Sequence, residues 1–372
     1  MRRATPPPVP GRRSALAFAL VLVVGLAGTL ANPALLRWPQ ANLRDGSWAR
    51  AYQAALDQAS PLRPAAVALW NAIDLRLFRQ APEGVVLGAD GWLFTAEEYA
   101  LPPDPEALRA AAVARVRAVD QRLAADGVRL LVALVPAKAA LVDVGQPPLP
   151  RAAAERYDGL LAALRGAGVE AVDLRPALSA MGDDAWLRTD THWTPAGASA
   201  AADAVAAHLR ELLPDLEGAA PARLEVLGRE PHRGDLVELL ELGPLAAWLA
   251  PEPDALERTR LVRPPPAGSD LFAPVALPLA VVGTSYAADA RWRVSDRLEV
   301  ALGVEVLDAA AIGDGPFGPM EAYLEGPAYL EGRPRAVVWE IPARYLDDPA
   351  FVTETAGRDA SPAAAGPAWR RW

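Results

Sequence analysis

An acid and a histidine stand two residues apart in the stretch 187–195, directly before a predicted helix. If this stretch is extended, Asp190 and His192 lie on one face with Cα atoms roughly 6.6 to 6.8 Å apart, because side chains alternate along a strand. At that spacing a carboxylate can hold the imidazole Nδ1–H, which leaves the other ring nitrogen free to act as a base. The pair therefore predicts an oriented general base that needs a nucleophile.

A serine follows the apolar run 279–282 in the sequence Gly283-Thr284-Ser285. A short apolar strand that ends in a sharp turn is typical of a serine presented at the mouth of an α/β sheet. A serine hydroxyl is a poor nucleophile unless a base lies within hydrogen-bond reach. We therefore predict that Asp190, His192 and Ser285 form one nucleophilic site.

Each of these motifs also has a structural interpretation. The sequence Asp-Thr-His-Trp can form a turn before a capped helix, and a serine after glycine is usually structural. His192 can equally be a partly buried histidine with a satisfied hydrogen bond. The joint occurrence of the motifs in a suitable sheet context favours the catalytic interpretation.

Apolar runs alternate with helical patterns through most of the chain. The stretch 85–94 predicts two short strands across a turn, and the uninterrupted run 128–135 predicts a parallel strand covered on both faces. The stretch 195–213 predicts a helix with Thr194 as its cap. This alternation indicates an α/β fold with a mostly parallel sheet, whose strand ends would carry Ser285.

The N-terminal residues carry a membrane-targeting pattern. Arginines in 1–13 precede an uncharged apolar run at 14–31, which is just long enough to span a bilayer and predicts a cytoplasmic N-terminus. A cleaved signal peptide is the competing interpretation, because Thr29-Leu30-Ala31 could serve as a cleavage site. We expect one transmembrane helix in the inner membrane, with the rest of the chain on the extracytoplasmic side. The predicted organisation is a cytoplasmic N-terminus (1–13), an anchor (14–31), a helical stalk (32–80), a catalytic domain (81–346, with an insertion at 214–278) and a flexible tail (347–372).

Composition excludes several classes of function. The net charge of −9 argues against nucleic acid as the main partner, since a backbone-binding protein needs a cationic face. The 372 residues include no cysteine and only three histidines, so thiolate sites are excluded and a histidine-rich metal site is not expected. We predict neither a metal nor a cofactor.

Five spaced motifs resemble, in order, the SGNH-hydrolase-like domain of the AlgX/AlgJ alginate O-acetyltransferases, and the resemblance covers roughly residues 50 to 346. It implies a three-layer domain in a membrane-anchored or secreted periplasmic enzyme that moves acetyl groups onto exopolysaccharide hydroxyls. A multi-pass membrane acyltransferase usually supplies the acetyl group to such enzymes. The motifs are Gly-Ala-Asp-Gly-Trp-Leu-Phe (88–94), Val-Pro-Ala-Lys (135–138), Asp-Thr-His-Trp (190–193), Gly-Thr-Ser-Tyr (283–286) and Trp-Glu-Ile-Pro-Ala-Arg-Tyr-Leu (339–346).

The resemblance carries the nucleophile, base and orienting acid over to Ser285, His192 and Asp190. The serine motif is not the Gly-x-Ser-x-Gly elbow, and the acid and base precede the serine, as they do in this family. Because no carbohydrate-binding module follows Leu346, we expect an anchored single-domain member.

An acetyl-serine intermediate would form and then pass its acetyl group to a sugar hydroxyl, or to water in an acetylesterase. A non-catalytic membrane-anchored scaffold is the remaining alternative. The oxyanion could be held by the Ser285 N–H or by an amide in the glycine loop 313–315. For the groove-lining candidates, packing or a surface salt bridge is the alternative role. These oxyanion or substrate-binding candidates are Tyr286, Gly313, Lys138, Trp193 and Arg344.

Overall fold

The computed structural model describes residues 12–36, 44–216, 218, 222–263 and 277–352. The chain divides into two compact units, Met1–Gln80 with Glu241–Ala250, and Ala81–Leu240 with Pro251–Trp372. The start of the predicted cytoplasmic N-terminus, part of the predicted insertion and most of the predicted tail lie outside the described residues.

Strands and helices alternate along most of the larger unit. In chain order, the strands are β1 Val85–Leu87, β2 Leu93–Thr95, β3 Arg129–Val135, β4 Ala171–Asp173, β5 Arg223–His232, β6 Asp254–Val262, β7 Leu279–Val282, β8 Val306–Asp308 and β9 Ala336–Pro342. The α-helices are α1 Arg12–Leu30, α2 Ser47–Ala59, α3 Arg63–Ile73, α4 Pro105–Ala125, α5 Arg151–Ala154, α6 Arg156–Gly166, α7 Arg175–Ser179, α8 Pro195–Leu212, α9 Asp235–Leu239, α10 Ala246–Leu249, α11 Ser285–Ala288, α12 Val294–Leu302, α13 Gly318–Glu325, α14 Pro327–Leu330 and α15 Pro349–Val352.

Within the described residues of the larger unit, five strands form a sheet in the order β4-β3-β9-β7-β8. Each neighbouring pair is parallel, with Val132 opposite Trp339 and Val281 opposite Val338. The sequence signal for this sheet was the run of apolar residues without alternation, which suits strands buried on both faces. The predicted α/β fold with a mostly parallel sheet is confirmed.

The sheet has helices on both faces, so the unit is built in three layers. Leu131 and Val338 pack into one apolar cluster with residues of α8 and α12. Leu130 and Val337 pack into the other with residues of α4, α6 and α13. Because side chains alternate along each strand, both clusters draw on the same strands.

Two antiparallel hairpins accompany the sheet. The short hairpin of β1 and β2 pairs Val86 with Phe94, as the sequence predicts. The long hairpin of β5 and β6 pairs His232 with Asp254 and has a register shift between Val226 and Gly228. It lies in the predicted insertion, where no strand was predicted.

The N-terminal unit is helical in its described residues. Helices α2 and α3 lie in the range predicted as a helical stalk, and α3 continues into a π-helical turn over Asp74–Phe78. Helix α1 covers most of the predicted anchor. In the described part of the chain, no helix has the length and apolarity that crossing a membrane requires.

The chain remains packed beyond the start of the predicted flexible tail. Asp347 is buried, and its carboxylate lies 2.7 Å from the guanidinium of Arg156. Helix α15 follows and ends at Val352, which is also buried. The expectation of a flexible segment from Asp347 is therefore wrong for residues 347–352, because an internal ion pair and an apolar contact hold them.

Candidate active site

Strand β7 places Ser285 at the carboxyl edge of the sheet. Its last residue, Val282, pairs with Trp339 of β9. Thr284 has an extended backbone, and its hydroxyl accepts a hydrogen bond from the Tyr286 N–H at 3.3 Å, which caps α11. Ser285 is the first residue of that helix and is partly exposed, so its hydroxyl is accessible at the strand end.

A buried glutamate of the neighbouring strand supports this turn. The Thr284 N–H donates to the carboxylate of Glu340 at 2.7 Å, and the Thr284 hydroxyl donates to it at 3.0 Å. A Cβ on Gly283 would lie 2.6 Å from Glu340 Oε2, so the glycine of this motif provides the space that Glu340 fills. Burial raises the pKa of Glu340 to about 7, against the opposing effect of the Thr284 hydrogen bonds.

Asp190 and His192 lie in a tight turn and not in an extended segment. Residues 188–192 form successive bends between Trp186 and Trp193, which pair in an isolated antiparallel bridge. Asp190 Oδ1 accepts hydrogen bonds from the His192 backbone N–H at 3.0 Å and from its Nδ1 at 2.6 Å. An aspartate that bonds the backbone two residues later closes a turn of its own, and this local bond replaces the pairing of a strand.

The structure brings the three predicted catalytic side chains into one hydrogen-bonded chain. His192 Nδ1 lies 2.6 Å from Asp190 Oδ1, and His192 Nε2 lies 2.8 Å from Ser285 Oγ. Asp190 is 2% exposed and His192 is 9% exposed. A base within this distance of a hydroxyl can accept its proton as the oxygen attacks a carbonyl carbon.

The Asp190 carboxylate accepts four hydrogen bonds. Besides the two from His192, its Oδ2 lies 2.8 Å from His232 Nε2 and accepts from the Asp235 N–H at 3.2 Å. Burial raises the pKa of Asp190, but the hydrogen bonds from His192 and His232 outweigh this and hold that pKa well below its usual range. Asp190 is therefore ionised and fixes the proton of His192 on Nδ1.

Two aromatic rings enclose the His192 imidazole. The Tyr286 ring centroid lies 4.5 Å from that of His192, and the Trp292 ring stacks on it at 4.8 Å with an interplanar angle of 26°. Trp292 Nε1 also donates to the carbonyl of Ser285 at 3.0 Å. Trp292 was not predicted from the sequence, because a single tryptophan seven residues after the serine has no spacing signal that distinguishes it.

Three of the predicted lining residues are buried behind the site. Tyr286 donates its hydroxyl to the carbonyl of Thr191 at 2.6 Å, and Trp193 Nε1 donates to the carbonyl of Tyr286 at 3.1 Å. Arg344 donates to the Tyr286 hydroxyl at 3.2 Å and to Glu97 at 3.0 Å. Burial raises the pKa of Tyr286 far above its usual value, so the phenol keeps its proton and acts as a donor. These side chains support the turn that carries Asp190 and His192.

Lys138 also holds the turn that carries Asp190 and His192, through bonds to its backbone carbonyls. It is the only lysine of the chain and is 1% exposed. Its ammonium donates to the carbonyls of Leu93 at 2.6 Å, Leu187 at 2.7 Å and Asp190 at 3.0 Å. A fourth carbonyl, that of Arg188, lies at 3.2 Å. Burial lowers the pKa of Lys138 to about 8, although Glu98 and Asp190 oppose the shift.

The remaining candidate, Gly313, lies in an exposed turn with a φ of 89°. No hydrogen bond among the described residues joins it to the catalytic side chains. The Ser285 N–H has no acceptor in the described part of the chain, and it stands at the first position of α11. Of the two predicted oxyanion donors, the Ser285 amide is the one that the geometry supports.

Three possible metal-ligating groups, one of which is His192, lie together in the site. Ligand atoms of Asp190, His192 and Asp235 lie within 4.8 Å of one another. Each is already used in a hydrogen bond, because Asp235 Oδ2 accepts from the Thr191 hydroxyl at 2.5 Å and the other two bind each other. The cluster is therefore best explained as a hydrogen-bond network around the base.

A cavity of about 890 Å³ opens beside the strand ends, with Arg156, Arg175 and Arg344 in its lining. Arg156 and Arg344 are paired with Asp347 and Glu97, and Arg175 is paired with acidic neighbours. The lining excludes all three catalytic candidates, so we do not assign the chemistry to this cavity.

The chain matches known proteins over most of its length. The model of the SGNH hydrolase-like domain of acetyltransferase AlgX matches residues 85–343. The chain is 37% identical to the probable alginate O-acetylase AlgJ of Pseudomonas aeruginosa over 344 residues, 87% of each protein. It is 36% identical to the same protein of Azotobacter vinelandii over 313 residues, 81% of this chain and 80% of the other.

Solved structures give the same result for the fold. The O-acetyltransferase domain of Pseudomonas putida AlgJ matches with a TM-score of 0.63 and 35% identity, over 73% of this chain and 97% of that domain. Pseudomonas aeruginosa AlgX matches with a TM-score of 0.56 and 21% identity, over 72% of this chain and 65% of the other, which supports the fold alone.

Proposed function

The chain belongs to the AlgX family of SGNH hydrolase-like acetyltransferase domains, and we propose on that basis that it transfers acetyl groups to hydroxyls of an alginate-like polysaccharide. The observation that carries the chemistry is the hydrogen-bonded chain of Asp190, His192 and Ser285 at the carboxyl edge of the sheet. This chain of contacts is the arrangement that activates a serine for acyl transfer.

In the first half-reaction, Ser285 Oγ attacks the carbonyl carbon of an acetyl donor while His192 Nε2 takes the hydroxyl proton. The bond between the acetyl carbon and the donor's leaving group breaks, and His192 returns the proton to that group. Asp190 holds the imidazole tautomer and stabilises the imidazolium that forms. The product of this step is acetyl-serine.

In the second half-reaction, a sugar hydroxyl attacks acetyl-serine and gives its proton to His192. The ester bond to Ser285 breaks and Oγ regains the proton. The tetrahedral oxyanion of each step accepts a hydrogen bond from the Ser285 N–H, a contact that typically contributes about 2.7 to 4 kcal/mol. Because Ser285 is partly exposed, water can take the place of the sugar, and we expect slow ester hydrolysis without acceptor.

We further propose that the chain is anchored in the inner membrane by the stretch 14–31 and works on its outer side. The support is the apolar run and the arginines before it. A transferase on that side needs acetyl groups carried across the membrane, which is the reason to propose a multi-pass membrane acyltransferase as partner. Extraction of the full chain from membranes with alkaline carbonate tests the anchor: release into the supernatant would contradict it.

The nucleophile is tested with Ser285→Ala, assayed with a chromogenic acetyl ester and an oligomannuronate acceptor. We expect loss of both transfer and hydrolysis by about 10³-fold or more. Ser199→Ala is the control, because among the described residues its hydroxyl bonds the Pro195 carbonyl of its own helix and no catalytic side chain. Unchanged polymer acetylation by Ser285→Ala in cells would favour a scaffold.

A further inference from the structure

His232, the last residue of β5, reaches the acid of the site from the long hairpin. Its Nε2 lies 2.8 Å from Asp190 Oδ2, and the side chain is buried. One guanidinium nitrogen of Arg291 lies 3.0 Å from His232 Nδ1 and 3.4 Å from His232 Nε2. The imidazole therefore contacts both a carboxylate and a guanidinium, and the acyl-transfer steps described above give it no part.

These two partners determine where the His232 proton resides. Asp190 is ionised and can only accept, so His232 Nε2 must carry a hydrogen. Arg291 can only donate, and its nitrogen is nearer to Nδ1 than to Nε2, so Nδ1 is assigned as the acceptor without a hydrogen. His232 is thereby assigned as the neutral imidazole with its proton on Nε2.

We propose that His232 is a positioning residue for the transfer reaction: it donates a hydrogen bond that fixes the Asp190 carboxylate against His192 without cancelling its charge. The proposal rests on the proposed function, since it assumes that His192 is the base. Asp190 can rotate about its Cβ–Cγ bond unless its second oxygen is held. The Asp235 N–H at 3.2 Å is the only other donor that the described residues provide to that oxygen.

The neutral state matters because Asp190 must stabilise an imidazolium on His192 in each half-reaction. A second cationic partner would draw the charge of Asp190 away from His192. The charge of Arg291 is itself balanced by Asp289 at 2.5 Å. Asp235, whose N–H donates to Asp190, is a further charged residue in this network.

The hairpin that carries His232 is fixed to the same turn at a second point. Asp254 lies opposite His232 in the β5–β6 register. Its carboxylate accepts from the Thr189 N–H at 2.9 Å and from the Arg188 N–H at 3.1 Å. The predicted insertion therefore supplies a part of the catalytic site and does more than border it.

Two amide substitutions separate the hydrogen bond from the volume of the side chain. In His232→Gln the amide nitrogen falls near the position of Nε2 and can donate to Asp190. In His232→Asn the amide reaches only the region of Nδ1, beside Arg291. We expect His232→Asn to lower kcat for acetyl-ester cleavage by about 10- to 100-fold with KM unchanged, and His232→Gln to stay within about threefold of the native protein.

The rate at which a sulfonyl fluoride labels Ser285 should follow the same order, because it measures activation of the hydroxyl without an acceptor. His208→Gln is the control, since the hydrogen bond of that partly exposed histidine among the described residues is to Glu170 at 3.4 Å and not to a catalytic side chain. Melting temperatures of all variants are measured in parallel. Equal kcat values for His232→Asn and His232→Gln, or native kcat in His232→Asn, would overturn the proposal.

Ser285→Ala in the same assay separates this inference from the proposed function. If Ser285→Ala is inactive while His232→Asn behaves as the native protein, only the role of His232 fails. If Ser285→Ala retains activity, the nucleophile itself is misassigned.

Discussion

The nucleophile and the acid-base pair are held by two different kinds of structure. Ser285 follows a strand that is hydrogen-bonded on both sides, to β8 and to β9. Asp190 and His192 lie in a turn with no ladder, closed by a backbone bond from the Leu187 N–H to the His192 carbonyl and held by side chains from other parts of the fold. The difference teaches that one half of the site depends on regular backbone pairing and the other on a few buried polar side chains.

This difference predicts where single substitutions act. Backbone ladder bonds persist when a side chain changes. Replacing a polar side chain at the strand end should therefore disturb the position of Ser285 less than a similar change disturbs the turn. The turn depends on Lys138, His232 and Asp254, each of which satisfies polar groups that have few alternatives. Removal of one such side chain leaves buried groups unpaired, which costs more than the net value of the bond.

The largest effect is expected for Lys138→Met. The methionine keeps much of the side-chain volume but leaves the buried carbonyls of Leu93, Leu187 and Asp190 without their donor. We expect the free energy of unfolding in urea to fall by about 3 to 5 kcal/mol, together with ester cleavage. Arg151→Met is the control, because that side chain is 90% exposed and its ion pair contributes little. A loss below about 1 kcal/mol would show that Lys138 is not needed to hold the turn.

The free energy of unfolding should depend on pH through Glu340, which supports the strand end. The pKa of Glu340 rises from 4.5 to about 7 on folding, so the native state keeps a proton that the unfolded state releases. Its contribution to stability is complete below pH 4.5 and is lost as the pH rises through 7. Glu340→Gln removes this titration, and Gln can still accept a hydrogen bond from the Thr284 N–H.

The stability of Glu340→Gln relative to the native protein should therefore increase by about 3 kcal/mol between pH 4.5 and pH 8. Urea unfolding at several pH values measures this difference. Parallel stability curves for the two proteins would contradict the prediction. Ester cleavage should change less than in Lys138→Met, because the ladder around Val282 remains.

Sequence patterns predicted the strand half of the site well. Uninterrupted apolar runs indicated β3 and β7, and the position of Ser285 after such a run placed it at the sheet edge. These inferences succeeded because burial on both faces leaves a local signal in the sequence. The spacing of Asp190 and His192 also suggested their contact, although the turn that achieves it was not foreseen.

The parts that sequence reasoning missed depend on contacts between distant segments. His232 is 42 residues from Asp190 in the sequence, and Trp292 is 100 residues from His192, on whose ring it stacks (292 − 192). Strand β5 exposes most of its residues and β6 has one buried residue, Leu256, so the two strands lack the apolar alternation that identifies a strand. The charged residues of these two strands are typical of a loop in the sequence, and only the pairing in the structure identifies them as strands.

The smallest effect is expected for Asp254→Asn, which tests the second attachment of the hairpin. The Asp254 carboxylate accepts from three donors, the N–H groups of Arg188 and Thr189 and the Thr189 hydroxyl at 2.6 Å. An asparagine offers one oxygen and one NH₂ group, so at least one of these donors faces another donor. We expect a loss of about 1 to 2 kcal/mol in unfolding free energy and a fall in kcat of about tenfold or less.

A matched substitution at the strand end, Asp308→Asn, tests whether the strand end is less sensitive than the turn. Asp308 ends β8, accepts from the Ser295 hydroxyl at 3.0 Å and stands opposite Val281 in the sheet. Asp308→Asn should cost similar stability but leave kcat unchanged, because the ladder and not this side chain positions Ser285. Urea unfolding and ester cleavage are measured on both variants. If kcat falls equally in Asp254→Asn and Asp308→Asn, the strand end is as sensitive as the turn. Replacing one acid would then disturb either half of the site to the same extent.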